Sequence, residues 1–462
     1  MSPLSTQPLS PLDGRYQHQV AALGEHLSEA GLNRARIQVE VEWIIHLTEA
    51  GLFGARRLTA EETRQLRALV TDFGDDDIAD LARREAVTRH DVKAVEYLVR
   101  DRLAGLGLTE LAELTHFACT SEDINNLAYA LTIRAAVRDV WMPRARSVVE
   151  TLRGLAVGLR DVPMLAHTHG QPATPTTMGK ELAVTVHRIE LLLATVEEVE
   201  YRGKFSGATG TFSAHLAADP DHDWIAASRD VVTGLGLTWN PLTTQIESHD
   251  WQAQLYQRIS HVGRVLHNLC TDIWTYISMG YFRQIPQPGA TGSSTMPHKI
   301  NPIRFENAEA NLELASALLD SLAATLVTSR LQRDLTDSTT QRNIGVALGH
   351  SLLALDNIEK GLGEIAVDEE ALARDLDANW EVLGEAIQTV VRAEITAGRS
   401  SIADPYAMLK ELTRGHRVGA DALREFVDGL DIGDDAKRRL LALTPAAYVG
   451  AASALVAYIE RD

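Results

Sequence analysis

Apolar residues recur along this chain in steps of three and four. The clearest run is Leu255, Ile259, Val262, Leu266, Leu269, Ile273 and Tyr276, which lies along one face of a helix. The same stepping joins Met178, Leu182, Val186, Ile189, Leu193 and Val196, and again Leu348, Leu352, Leu355, Ile358, Leu362 and Ile365, while residues 308–327 are rich in Ala and Leu. Four or more long helices are predicted. The one expected from about Pro175 to Arg202 would span roughly 40 Å at about 1.5 Å per residue, and a rod of that length needs packing partners throughout. A multi-helix bundle continuing into neighbouring subunits supplies them, so a homo-oligomer is expected. Period-two alternation is scarce and no βαβ succession with glycine-rich turns occurs, which disfavours a doubly wound sheet. The expected class is all-α. Breaks near Gly105 to Leu108, at 217–223 and around 361–367 divide the chain into segments 1–112, 113–362 and 363–462, with neither an internal repeat nor a low-complexity tract.

Composition narrows the function classes. The 462 residues exceed one core of ordinary size, and 45% hydrophobic with 23% charged residues is the balance of a globular protein. No apolar stretch approaches bilayer length, and Met1 to Leu12 carries no basic residue or apolar block, so no secretory signal is read and the cytoplasm is the expected location. Two cysteines, Cys119 and Cys270, have no CxxC partner and support neither a disulfide framework nor a cysteine zinc site. A net charge of −19 repels a nucleic-acid backbone. An anionic small ligand would therefore need locally concentrated cations.

The most unusual segment is Gly289-Ala-Thr-Gly-Ser-Ser-Thr-Met-Pro-His-Lys-Ile-Asn-Pro302. Small residues, hydroxyls, a lysine and an amide between two helices suit a mobile active-site loop. Asn301 and Pro302 read as N-cap and first helical residue, aiming free N–H groups at the loop, where an anion could bind. An ordinary linker with a capped helix fits the composition equally well. A second cluster, His167-Thr-His-Gly-Gln-Pro-Ala-Thr-Pro175, precedes a long helix and makes His169 a candidate acid or base. An HxH pair can also ligate a metal, but without an accompanying HExxH or cysteine cluster this is the weaker reading. Residues 330–342 concentrate Arg330, Arg333 and Arg342 with hydroxyls, as a phosphate or carboxylate pocket requires; taken alone they read better as a solvated helix start with local ion pairs. Thr120-Ser-Glu-Asp123 could be only a helix cap.

Together these motifs carry a resemblance. Gly292-Ser-Ser-Thr-Met-Pro-His-Lys-Ile-Asn-Pro302 resembles the signature of the fumarase, aspartase and argininosuccinate lyase superfamily. Within it, His298, Thr168-His-Gly-Gln-Pro-Ala-Thr-Pro175, Arg89-His-Asp91 and Arg333-Asp-Leu-Thr-Asp-Ser338 resemble the adenylosuccinate lyase family. Asp13-Gly-Arg-Tyr16, His116-Phe-Ala-Cys-Thr-Ser-Glu-Asp-Ile-Asn-Asn126 and Leu412-Thr-Arg-Gly415 extend the similarity over nearly the whole chain, toward the bacterial branch. Arg89 departs from that branch, where Asn stands, a difference that touches fine substrate contacts.

The resemblance implies a three-domain helical fold with a long central bundle, a homotetramer whose active sites draw on more than one subunit, and nucleotide substrates. It implies no cofactor or metal. The implied chemistry is C–N β-elimination of fumarate. Ser293 is implied as the base and His169 as the acid, with Lys299, Asn301, Ser294, Thr120, Ser121 and Gln245 around the carboxylate and Glu306 orienting His169. Arg15, Tyr16, Arg89, His90, Asp91, Asn307, Arg333, Ser338 and Arg342 are implied at the nucleotide end. Serine is a poor base, so its deprotonated form would need stabilisation by amides and Lys299 in a water-excluding site. Competing readings are another fumarate-releasing lyase on the same loop, a non-catalytic helical scaffold, and a metal hydrolase using His167 and His169.

Overall fold

A computed structural model describes residues 8–287, 289, 296, 299–413 and 418–460 of the chain. Its longest helices, of 20 to 29 residues, are Glu29–Glu49, Met178–Glu197, Asp250–Ser278, Ile303–Leu326 and Ile344–Gly363. The predicted stripes face inward: all six apolar positions from Met178 to Val196, all six from Leu348 to Ile365, and Leu255 to Ile273 are buried. Burial of one face drives such helices together, because each apolar side chain removed from water contributes about 1.5–3 kcal/mol. Helix Met178–Glu197 is shorter at both ends than expected. Pro172 and Pro175 lie in an extended strand, since proline supplies no N–H and restricts the residue before it to extended geometry. Helix Ile303–Leu326 likewise begins two residues past Asn301.

Strands are few and short. Pro163–Thr168 (β1) pairs antiparallel with Gln171–Thr177 (β2), Arg202–Gly203 pairs parallel with Thr238–Trp239, and Phe282–Gln284 pairs antiparallel with Ile365–Val367.

The chain forms two compact units, each assembled from three stretches. The first comprises Met1–Arg146, Leu192–His267 and Ala308–Asp356. Its centre is the helix pair Glu29–Glu49 and Ser121–Ala135, both buried on most sides; Ser28 starts the former by accepting the Gly31 amide (3.1 Å). The second comprises Ser147–Leu191, Asn268–Asn307 and Asn357–Asp462. Its C-terminal part has a core of Trp380, Leu383, Ile387, Val391, Leu423, Val427 and Leu440. Among the described residues no single helix is long and apolar enough to cross a membrane; the bent pair Asp434–Leu441 and Pro445–Ile459 passes on length and composition alone.

Arg89 ends helix Asp75–Thr88 in the left-handed region, φ +52°, and His90 caps the next helix by accepting the Lys93 amide at Nδ1 (3.3 Å). A left-handed C-terminal residue is best supplied by Gly or Asn, because a Cβ crowds the following carbonyl. Arg89→Asn is therefore expected to stabilise the protein by about 0.5–1 kcal/mol, read as a raised melting temperature. A lowered one would mean that the arginine side chain makes compensating contacts.

Candidate active site

In the second unit, His169 and Gly170 form the two-residue tip of the β1–β2 hairpin, closed by the Thr168–Gln171 pair. Both have positive φ, +54° and +72°, the geometry of the turn that best matches strand twist. A histidine there is strained by its own Cβ and is held because the hairpin fixes both neighbours. Its ring is exposed. His167, two residues back, instead approaches the Tyr281 ring at 6.5 Å.

Lys299 and Asn301 lead into helix Ile303–Leu326, the former tied by its amide to the Met296 carbonyl (3.0 Å). Phe305 anchors the helix start. A Cβ on Gly361 would lie 2.8 Å from the Phe305 ring, so only glycine admits that approach. Glu306 is exposed in the first turns and accepts a hydrogen bond from the Trp274 indole (3.1 Å). Among the described residues it makes no hydrogen bond to His169, so the expected pairing is not found within one chain. Asn307, next on the helix, is half-buried. Ser293, Ser294 and His298 lie outside the described residues.

In the first unit, five of the expected substrate-binding residues, Asp91, Gln245, Arg333, Ser338 and Arg342, join one polar network. The Asp91 Oδ2 accepts from Arg36 (2.8 Å) and Arg342 (3.1 Å), and its Oδ1 from the Val92 amide (2.9 Å). Burial works to raise the Asp91 pKa, but the Arg36 charge, the Val92 amide and Arg342 outweigh it and hold the carboxyl below its ordinary range. Arg36 donates through Nε to Asn125 (2.9 Å), and Asn125 donates to Glu122 Oε1 (3.1 Å). The same Glu122 oxygen takes Arg333 Nη1 (3.0 Å), which also reaches Gln245 (3.3 Å); Gln245 donates to the Ala208 carbonyl (2.9 Å). Arg333 approaches Asp337 (3.6 Å) and Arg342 pairs with Glu29. Burial raises the Asp337 pKa, and its other oxygen is buried without a hydrogen-bond partner among the described residues. Ser338 donates its amide to Asp337 (2.6 Å).

Arg330 behaves differently. It is exposed and pairs with Asp334 (3.1 Å), the local surface ion pair that composition favours. Arg15 sits over the Tyr16 ring (5.7 Å) just ahead of helix Gln17–Leu27.

Thr120 caps helix Ser121–Ala135 and donates its amide to Asp123 (2.8 Å), so the cap reading holds. Asp123 does more: it pairs with Lys204 (2.8 Å), both side chains 0% exposed, and accepts the Ser206 and Gly207 amides (2.8 and 3.2 Å). Lys204, Arg36, Asn125 and the inward role of Glu122 are missed by the sequence reading. No local signal in the sequence exposes Arg36, because residues 35–47 also carry Gln38, Glu40, Glu42 and His46. Cys119 and Cys270 are both free thiols. Burial, then Glu40 and Asp123, push the Cys119 thiol well above its ordinary range, leaving it a poor nucleophile at neutral pH.

A lyase family model matches residues 14–315, and an adenylosuccinate lyase C-terminal model matches 329–449. The chain is 46% identical to the adenylosuccinate lyase of Escherichia coli over 450 residues, covering 97% of each. It is 45% identical to that of Vibrio cholerae (96% of each) and 44% identical to that of Dictyostelium discoideum (96% of each). Among solved structures it superposes on the 3-carboxy-cis,cis-muconate lactonizing enzyme of Pseudomonas putida (TM-score 0.71, 21% identity, 95% and 96% covered). A fumarate lyase from Mesorhizobium gives a TM-score of 0.72 at 20% identity, with 94% and 96% covered; both likenesses speak for the all-α lyase fold alone. With near full-length identity of this level joined to both family matches, the chain belongs to the adenylosuccinate lyase family.

Proposed function

We propose that this chain is a C–N lyase of purine nucleotide biosynthesis. It releases fumarate from adenylosuccinate, giving AMP, and from succinylaminoimidazole carboxamide ribotide, giving the free carboxamide ribotide. The observation that carries the reading is the 46% identity over 97% of the chain to a curated adenylosuccinate lyase. Ser293 takes a proton from the carbon beside a substrate carboxylate, the C–N electron pair leaves with nitrogen, and His169 protonates that nitrogen as the fumarate double bond forms. Negative charge grows on a group already anionic, so preorganised donors dominate the rate: Lys299, Asn301 and the amides opening helix Ile303–Leu326, with Ser294, Thr120, Ser121 and Gln245. Arg333, Arg342, Asp91, Ser338 and Asn307, with Arg15, Tyr16, Arg89 and His90, take the nucleotide end, arginine forks matching phosphate geometry. This chemistry calls for no cofactor.

The working unit in this reading is a cytoplasmic homotetramer, three domains per chain divided near 112 and 362, with active sites shared between subunits. Bundle helices carrying exposed apolar side chains support association: Val184 and Leu191 (59% exposed) on Met178–Glu197, and Leu314 on Ile303–Leu326. Glu306 then orients a neighbouring subunit's His169. The test is fumarate release by purified protein given adenylosuccinate or argininosuccinate, with chelator in both. Fumarate and AMP from the first alone is the expected result. Fumarate only from the second would overturn the nucleotide assignments, and none from either would favour a scaffold.

A further inference from the structure

We infer that Arg36 is a positioning residue, a buried tie that sets the two nucleotide-binding arginines, Arg333 and Arg342, at fixed separation; this rests on the proposed nucleotide site. Arg36 is 1% exposed, and its three donor nitrogens are committed in different directions. Nη1 goes to Asn33 (2.8 Å), Nη2 to Asp91 (2.8 Å) and Nε to Asn125 (2.9 Å). One arm therefore reaches Arg342 through Asp91, and the other reaches Arg333 through Asn125 and Glu122. Every link is direct, and Glu122 and Asn125 are themselves buried.

The physical need is plain. An arginine aimed at an anion has many rotamers, and ordering it on binding costs side-chain entropy. Carboxylates that grip the guanidinium from behind impose that order before the ligand arrives. Asp91 and Glu122 carry out the gripping, but two carboxylates near one site would repel each other and the anionic substrate. Arg36 lies between them, neutralises the nearer and fixes the farther through an amide. A lysine there keeps the charge but offers no planar fork with three diverging donors. Asp91 consequently acts through Arg342 more than through its own contact with substrate, its Oδ2 being occupied by two guanidinium groups.

The experiment measures KM and kcat for adenylosuccinate, and AMP affinity by calorimetry, in Arg36→Lys, Arg36→Met and Glu122→Gln. Losing charge-assisted hydrogen bonds that order the arginines is expected to raise KM and weaken AMP binding by about tenfold or more in both Arg36 variants, with kcat within roughly threefold. Glu122→Gln, which preserves shape, is expected to shift both in the same direction by about threefold or more. Arg36→Met combined with Glu122→Gln is expected to be less than additive, because both break one arm. Wild-type AMP affinity in folded Arg36 variants, tighter AMP binding in Glu122→Gln, or strict additivity would overturn the inference. If Arg36→Met does not fold, Glu122→Gln decides. A wild-type protein that binds AMP without releasing fumarate would sink the proposed reaction, while the AMP affinities still judge the tie.

Discussion

Replacing His169 by asparagine is expected to lower kcat by about 10²–10⁴-fold, the range spanned by loss of a positioned general acid, while leaving the melting temperature unchanged or raised. The substitution isolates chemistry from folding because of where the residue sits. His169 and Gly170 are the tip of a two-residue hairpin turn, both with positive φ, and Asn-Gly is the pair best suited to that turn. Asparagine therefore relieves backbone strain while removing the group that would protonate the leaving nitrogen. Fumarate release followed by absorbance, beside a thermal melt of the same sample, reads both outcomes. A kcat within threefold of wild type would show that another group supplies the proton. A collapse of the melt would show that the imidazole packs as a structural element.

Asp123→Asn is expected to destabilise the protein by about 3–5 kcal/mol, the cost of breaking a buried ion pair from one side. Among the described residues the Asp123 carboxylate faces donors only: the Lys204 ammonium, and the Thr120, Ser206 and Gly207 amides. An asparagine turns its NH2 toward one of these donors whichever way it is oriented. Lys204, 0% exposed, would keep the Gly207 carbonyl (3.0 Å) as its remaining acceptor among the described residues. Chemical denaturation at one fixed protein concentration measures the loss, since association shifts apparent stability. Adding Lys204→Met to Asp123→Asn is expected to recover part of it, because the uncompensated ammonium is then gone. A loss below about 1 kcal/mol would mean that water reaches the pair, as it does for surface ion pairs.

The sequence by itself determined the inward faces of three long helices, though not helix Glu29–Glu49 at the centre of the first unit. The stripe from Leu255 to Ile273 and those beginning at Met178 and Leu348 are all buried, because a periodic apolar face on a long helix has one way to leave water. It also determined the family-bearing motifs, since His169, Lys299, Asp91 and Arg333 lie in short, unusual runs of residues. It placed Thr120 at a helix cap, where the structure has it. It did not yield the β1–β2 hairpin, whose three prolines and two histidines lack the alternation that marks a strand, and it set the start of helix Ile303–Leu326 one residue early.

Only the tertiary structure decided which charges work together. Arg36 and Asn125 are 89 positions apart, and Asp91 and Arg342 are 251 apart, while Lys204 meets Asp123 from 81 positions away. A hydrogen bond or ion pair depends on distances of about 3 Å and on burial that lowers the local dielectric. Local sequence sets neither across such separations. The chain order names the charged residues, and the packing of helix Glu29–Glu49 against Ser121–Ala135 makes partners of Arg36 and Asn125.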